Sequence, residues 1–582
     1  MPREVVRNKR RDRARRNHLP PRDWGEIGRW ALLAGCGVLA VYLFWVAVTA
    51  PNATGLFDDD AVYQVTAKSI ADGKGYRRID RPSEPHQTKF PPLYPLILSA
   101  VWPLGGGFPG NIVWLRLPSV IATVLTIWLG VRYCAKYLPL GGTGLVLIAL
   151  TSLTLPEWRL FSVITMSEPV FAALTLAALH AAERSRAHAG RRSILWAATA
   201  GLSAGLALLT RTVGVTLAAA LVIWFVSRRR WLHAVLAAAP AVVCAAGWAV
   251  WTSSVTAGEA AIRRSELLRY ELDYFAWIPH ALGDAFLVGW HNFVWFALIQ
   301  TQMLLRIPLT VAGSAWLQSA GTLAFHLLVW PLLVLLIVGW YGSARERLSP
   351  AHVFVPLYIG AVLFYPLGVD RFILPISVLL AAFVFVGAGS ILGRLTRRLR
   401  QSTTRRLTVG LVSAYGLTVL VLNVNAHPRM FACQDGVCRM GGNKFNLETL
   451  QRTTAWLADN TPAGAVIASR RSSVTALATG RHTVLLTPYV NPVAYHYSPN
   501  RWFASFYVVP VIDEIEAATR DARNLLDLYA QLGVTHLVRA AEDELLFAAA
   551  LDASVRAHPR NFRELWTDGH RQAAIFQVSP DP

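Results

Sequence analysis

Long apolar runs alternate with tight basic clusters along the whole first two thirds of this sequence, and no other feature limits its fold so strongly. The runs lie near 30–49, 112–131, 142–156, 160–182, 193–209, 213–227, 232–252, 318–340, 351–367, 372–392 and 407–424. Most are long enough to cross the hydrocarbon layer of a bilayer as a helix. The basic clusters between them are residues 3–22, Arg132 with Lys136, Arg184 to Arg192, Arg228 to Arg230, Arg345 with Arg347, and Arg394 to Arg406. Placing every cluster in the cytoplasm satisfies the positive-inside bias with about eleven crossings. An odd number carries a cytoplasmic N-terminus to a C-terminus on the other side. Residues 284–310 are apolar but interrupted by His291, Asn292, Gln300, Gln302 and Arg306, and read either as an interfacial segment or as an extra helix pair.

The net charge of +21 would suggest nucleic-acid binding if it were gathered on one surface. It is divided by stretches that can span a membrane, which excludes that class. With 54% hydrophobic residues and a mean hydropathy of +0.38, the chain is also too apolar for an ordinary soluble enzyme. The expected fold is a polytopic all-α membrane domain over residues 30–426, preceded by a basic cytoplasmic tail, 1–29, and followed by an extracytoplasmic α/β domain, 427–582. Residues 30–49 read as a signal anchor, because the basic start runs into a full-length span without a small-residue cleavage pattern. In the last domain, Thr453 to Asp459 is helix-like, and Ala465 to Ser469 and Thr535 to Arg539 are strand-like.

Cys36, Cys134 and Cys244 fall inside apolar runs and read as small buried hydrophobes. Cys433 and Cys438 bracket a short polar loop on the outer side, where a disulfide can persist.

Two outer loops, 50–111 and 253–317, are too long to be mere connectors. The first opens with Asp58, Asp59 and Asp60 ahead of a helical pattern that ends at Gly73. Either one of these acids caps the helix and the others favour its dipole, or they serve chemistry just beyond the membrane boundary, where an idle charge is costly. Asp59 and Tyr63, four residues apart, share one helical face. Further on, Lys89 precedes the proline-stiffened Pro91-Pro92-Leu-Tyr94-Pro95 and an apolar stretch too brief to span. Lys89 either snorkels to the headgroups or binds phosphate. Glu168, Arg211 and Arg371 sit at the outer ends of spans, each as a helix anchor or as part of one shared site. Arg263, Arg264 and Arg269 in the second loop either bind anionic headgroups or belong to a lid.

Asp59-Asp60-Ala-Val-Tyr63, Ala71-Asp-Gly-Lys-Gly-Tyr76 and Lys89-Phe-Pro-Pro-Leu-Tyr-Pro95 together resemble the first-loop signature of integral-membrane glycosyltransferases of the GT-C class. The likeness is to protein mannosyltransferases and lipid A aminoarabinose transferases. It extends to Ser167-Glu168-Pro169, Leu209-Thr-Arg211, Arg371-Phe-Ile-Leu-Pro375, and Trp456 to Pro462 with Thr479-Gly-Arg481. The resemblance implies a polyprenyl-phosphate sugar donor and places Asp59 at the catalytic position. Asp60 stands where that class usually has Glu, so a share of the role for Asp58 or Asp60 stays open.

On that basis Asp59, with Asp60 beside it, is the expected base for a protein, glycan or lipid acceptor hydroxyl, in one inverting displacement. Lys89, Arg211 and Arg371 are the expected cations for the departing lipid phosphate. Tyr63 is expected to hydrogen-bond a phosphate or sugar oxygen, and Glu168 to hold the acceptor or a cation. His86, His280 and His291 are too scattered to argue a metal site, so no cofactor is expected, with a divalent metal left open. The alternatives are a transporter or flippase of a lipid-linked glycan, and a non-catalytic scaffold for the C-terminal domain. Transport requires polar groups and broken helices at mid-membrane, whereas these acids gather in the outer loop and at span ends. An Ala- and Arg-rich sequence without organelle-sorting signals looks bacterial, which makes the plasma (inner) membrane the expected location.

Overall fold

The computed structural model describes residues 26–272, 278–279, 281–305, 315–365, 370–396, short stretches between 403 and 440, and then 443–488, 525–540, 545–569 and 572–579. Among these, eight helical segments are long and apolar enough to cross a membrane: Gly28–Thr49, Ile112–Tyr137, Gly142–Val163, Gly190–Thr210, Trp231–Gly258, Leu282–Thr301, Leu327–Glu346 and Arg371–Leu395. Thr212–Val226 and Pro350–Leu363 are shorter apolar helices. Glu168–Ala187 has the length of a crossing but carries Glu168 in its first turn and Arg184 and Arg186 in its last. The chain is thus a polytopic helical membrane protein. The interrupted segment after residue 284 forms, as far as it is described, one helix, Leu282–Leu305, whose stretch Leu282–Thr301 is long and apolar enough to cross a membrane. The expected span 407–424 lies largely outside the described residues, although 413–418 are helical.

Side-chain packing and close backbone approach hold the helices together, because apolar side chains gain little by leaving lipid for one another. A Cβ on Gly339 would run into the Phe383 carbonyl oxygen, and one on Gly387 into that of Leu335. Only glycine lets the helices carrying them cross so closely. Charge is used just as locally. Buried Arg116 donates to the carbonyls of Ala47, Ala50 and Pro51 at 2.7, 3.0 and 2.6 Å, satisfying the C-terminal end of the first span.

Beyond the membrane domain, strands β1 (Ala432–Gln434), β2 (Val437–Met440) and β3 (Asn443–Asn446) form an antiparallel meander. Cys433 and Cys438 are register partners in it. A five-stranded mixed sheet follows, from β4 (Val466–Ala468), β5 (His482–Val484), β6 (His536–Ala540), β7 (Phe562–Thr567) and β8 (Ala573–Val578), in the order β5-β4-β6-β8-β7. The stretches expected as strands at 465–469 and 535–539 coincide with β4 and β6, and 453–459 lies within the helix Leu447–Asn460.

The core of this domain is not closed by its own residues. Leu267, Leu268 and Leu272, from the helix Glu266–Leu272 in the second long loop, are buried with Val466, Leu537 and Tyr529. Arg263 donates to Glu259, to the carbonyls of His86 and Leu272, and to Thr88 Oγ1, and so clasps the second long loop to the first.

Candidate active site

The helix Asp59–Ala71 stands in the long loop after the first span with nine of its thirteen residues buried, among them the polar Asp60, Tyr63, Gln64, Thr66 and Ser69. Of the three leading acids, Asp58 is at the N-cap position but makes no side-chain capping bond. Its carboxylate accepts from Arg470 Nη1 at 2.6 Å. Asp60 is fully buried, and its carboxylate accepts the amides of Gly55 and Phe57 at 2.8 and 3.3 Å. Burial pushes its carboxyl up to about 7 against the pull of those amides. Neither acid caps the helix in the ordinary way: Asp58 pairs with an arginine 412 residues later in the chain, and Asp60 holds the loop that precedes the helix.

Asp59 alone turns toward the membrane domain. Its Oδ2 lies 2.6 Å from Arg371 Nη2. Arg371 Nε is 3.9 Å from Glu168 Oε1, and the same oxygen is 2.7 Å from Arg211 Nη1. Asp59, Arg371, Glu168 and Arg211 therefore form an alternating chain of charges. They come from a loop helix, the start of the span Arg371–Leu395, the first residue of Glu168–Ala187, and the C-cap of Gly190–Thr210. Glu168 is fully buried, and Asp59 keeps 14% of its side chain exposed. Burial alone would raise the Asp59 carboxyl, but the cations Arg371, Lys89 and Arg211 hold it below its usual value. Asp59 is ionised in the resting site.

Tyr63 reaches the same cluster one turn later. Its hydroxyl lies 3.0 Å from Ser167 Oγ, which also accepts from Arg211 Nη1 at 3.1 Å. Its ring packs on Phe90 and Tyr94, with centroids 4.8 and 5.0 Å away. Burial raises the phenol well above its usual value, so Tyr63 stays a neutral hydroxyl. The Lys89 backbone amide donates to Gln87 Oε1 at 2.9 Å, and its ammonium lies 5.3 Å from the Phe90 ring centroid. Asp59, Tyr63, Lys89, Glu168, Arg211 and Arg371 are thus brought into one neighbourhood. Cys433 and Cys438 belong to the separate meander.

Sequence reasoning gave no role to four participants. Ser167 joins Tyr63 to Arg211, and the Phe372 ring carries both guanidinium groups, at 4.9 Å from Arg211 and 5.2 Å from Arg371. Arg470 and Arg471 reach the loop from the C-terminal domain. Adjacency to Glu168 and Arg371 was the available signal for the first two. Nothing local marked the arginines. Among the described residues no group of three His, Cys, Asp or Glu is placed to hold a metal ion. His86 pairs with Glu259 at 2.6 Å, and His280 lies outside the described residues.

No protein-family model matches the sequence, and no curated protein matches it. Solved structures do share the fold. ArnT from Cupriavidus metallidurans, bound to undecaprenyl phosphate, aligns with a TM-score of 0.50 and 13% identity over 95% of this chain and 98% of its own. The archaeal oligosaccharyltransferase AglB from Archaeoglobus fulgidus, in complex with an inhibitory peptide and a dolichol-phosphate, aligns with a TM-score of 0.51 and 12% identity over 95% of this chain and 75% of its own. Both are GT-C glycosyltransferases. At such identities the likeness is one of fold.

Proposed function

From the GT-C fold of this chain, we propose that it is a glycosyltransferase that moves a sugar from a polyprenyl-phosphate donor to an acceptor hydroxyl on the outer face of the membrane. The observation that carries this reading is the charge chain Asp59–Arg371–Glu168–Arg211 at the junction of the outer loop with the span ends. With Lys89 the cluster has three cations against two carboxylates. The surplus positive charge suits the single negative charge of a sugar phosphodiester, and it suits the departing lipid phosphate better still. Stabilisation that grows as charge develops is what lowers a barrier. The lipid phosphates bound to ArnT and AglB support the donor class.

In the reaction, the acceptor oxygen attacks the anomeric carbon and its proton passes to Asp59. The bond from that carbon to the phosphate oxygen breaks, and its electron pair leaves with the lipid phosphate. One displacement inverts the anomeric centre. Arg371 masks Asp59 until a phosphate competes for the guanidinium, so donor binding also makes Asp59 a stronger base.

The test is transfer of radiolabelled sugar from polyprenyl-phosphate donors to a membrane extract by the purified protein. Inverted product from one of these donors supports the reading. Absence of transfer from every donor, by folded protein, moves the weight to transport of a lipid-linked glycan.

A further inference from the structure

Asp59 is preceded by a backbone turn that most residues avoid. Asp58 has φ 58° and ψ −45°, and the Asp59 amide donates to the Phe57 carbonyl at 2.6 Å. This is a γ-turn of the rarer, strained hand. A side-chain-bearing residue persists in such a conformation only where its surroundings over-determine it, and such places cluster at functional sites.

The surroundings here come largely from the C-terminal domain. Arg470 holds the Asp58 carboxylate at 2.6 Å, and Arg471 donates to the Gly55 carbonyl. Gly55 has φ +93° and lies so close to the helix Ser472–Thr479 that a Cβ would meet Val474 at 2.7 Å. The same helix is welded to the first outer loop from behind. Arg81 donates to Ser472 Oγ at 2.8 Å and to the Thr483 carbonyl at 2.9 Å. Residues 55–58 are therefore gripped between Asp60 on one side and residues 470–474 on the other.

We propose that Arg470 and Arg471 are positioning residues for the transferase site: they hold residues 55–58 in the strained turn, and so fix the direction from which Asp59 meets Arg371. The inference rests on the transferase reading, and it makes the C-terminal domain part of the catalytic apparatus instead of an appendage. Neither arginine is required to touch substrate.

The full-length protein is compared with Arg470→Ala, Arg470→Lys, and Arg470→Ala combined with Asp58→Gly, in matched detergent. A misplaced reacting group costs up to about a hundredfold, so Arg470→Ala is expected to lower kcat by roughly ten- to a hundredfold with little change in donor KM. Arg470→Lys retains most activity. Asp58→Gly restores part of the loss, because glycine adopts positive φ without strain. Hydrogen exchange in Arg470→Ala rises at the amides of residues 55–62 and not across the membrane domain.

Unchanged kcat in Arg470→Ala beside an active wild type overturns the proposal. So does unchanged exchange at 55–62, or loss of protection throughout the chain, which would make the arginine a general structural contact. If the wild type transfers nothing from any donor, the transferase reading fails, and the exchange measurement still decides whether Arg470 holds the turn.

Discussion

Arg371 and Asp59 are 312 residues apart in sequence and 2.6 Å apart in space. The pair joins the first long loop to the start of a late span, so the proposed base is held by the cation proposed to meet the phosphate. Asp59→Asn keeps the size of the side chain and an oxygen for Arg371, but it cannot take a proton. General bases contribute about a hundred- to ten-thousandfold. Transfer by Asp59→Asn is expected to fall by that order while its elution and thermal midpoint stay near wild type. Equal transfer would remove Asp59 from the mechanism.

The pair also predicts a split between two pH profiles. The profile of kcat/KM reports the free enzyme, where Arg371 and its neighbouring cations hold Asp59 below its usual value despite burial. The profile of kcat reports the donor complex, where those cations are shared with phosphate and Asp59 is more basic. In both, activity falls as pH drops through the Asp59 value. The acid limb of kcat should therefore lie at higher pH than that of kcat/KM. Coincident limbs would mean that Arg371 stays on Asp59 throughout.

Glu168 offers a test of stability. It is fully buried, with Arg211 at 2.7 Å as its nearest cation. Removing one partner from a buried pair leaves an uncompensated charge, at a cost of about 3–5 kcal/mol. Arg211→Ala should fall near the lower end, because Arg371 remains 3.9 Å away. Adding Glu168→Gln to that variant should recover part of the loss. Thermal unfolding of the single and double variants in one detergent measures the coupling, and strict additivity would show that the two side chains do not interact.

The membrane architecture was legible because lipid imposes one rule, a long apolar helix, and basic residues mark one side of it. The candidate site was legible in the residues that gather there but less so in their wiring. Asp59, Tyr63, Glu168, Arg211 and Arg371 each stand out as polar groups at a membrane boundary. Spacing alone says nothing of Glu168 lying between two arginines, or of Asp60 turning back to the amides of Gly55 and Phe57. The least legible element was the helix Glu266–Leu272, whose leucines complete a core formed more than 190 residues later in the chain. A seven-residue amphipathic segment reads equally well as a membrane-surface helix until its partner is known.

The meander carries a redox prediction. Cys433 and Cys438 are cross-strand partners in β1 and β2. Such partners have Cα atoms about 4.5–5.5 Å apart, within the range a disulfide spans. A bridge closing so short a loop contributes about 2 kcal/mol. Alkylation followed by mass spectrometry should label both cysteines only after reduction. Full labelling beforehand would show that they are free thiols.

Asp80 tests whether the first long loop and the C-terminal domain act as one unit. It is almost wholly buried and receives Arg78 Nε and Nη2 at 2.9 Å each, with Ser473 Oγ donating at 2.8 Å. Arg81 stands 3.4 Å away and reaches on to Thr483 and Ser472. Burial opposes its charge, but the two guanidinium groups outweigh it and hold the Asp80 carboxyl far below the usual range. A depressed carboxylate contributes stability that is present above the ordinary aspartate value of about 3.9 and lost as pH falls through the native one. Asp80→Ala leaves two buried arginines without their shared anion and should cost about 3–5 kcal/mol at neutral pH. Asp80→Asn keeps the shape without the charge, so it should cost less and should flatten the loss of stability below pH ~4. If Asp80→Ala unfolds at the wild-type temperature, the loop and the domain are joined by their apolar contacts, and the buried charges add nothing to the union.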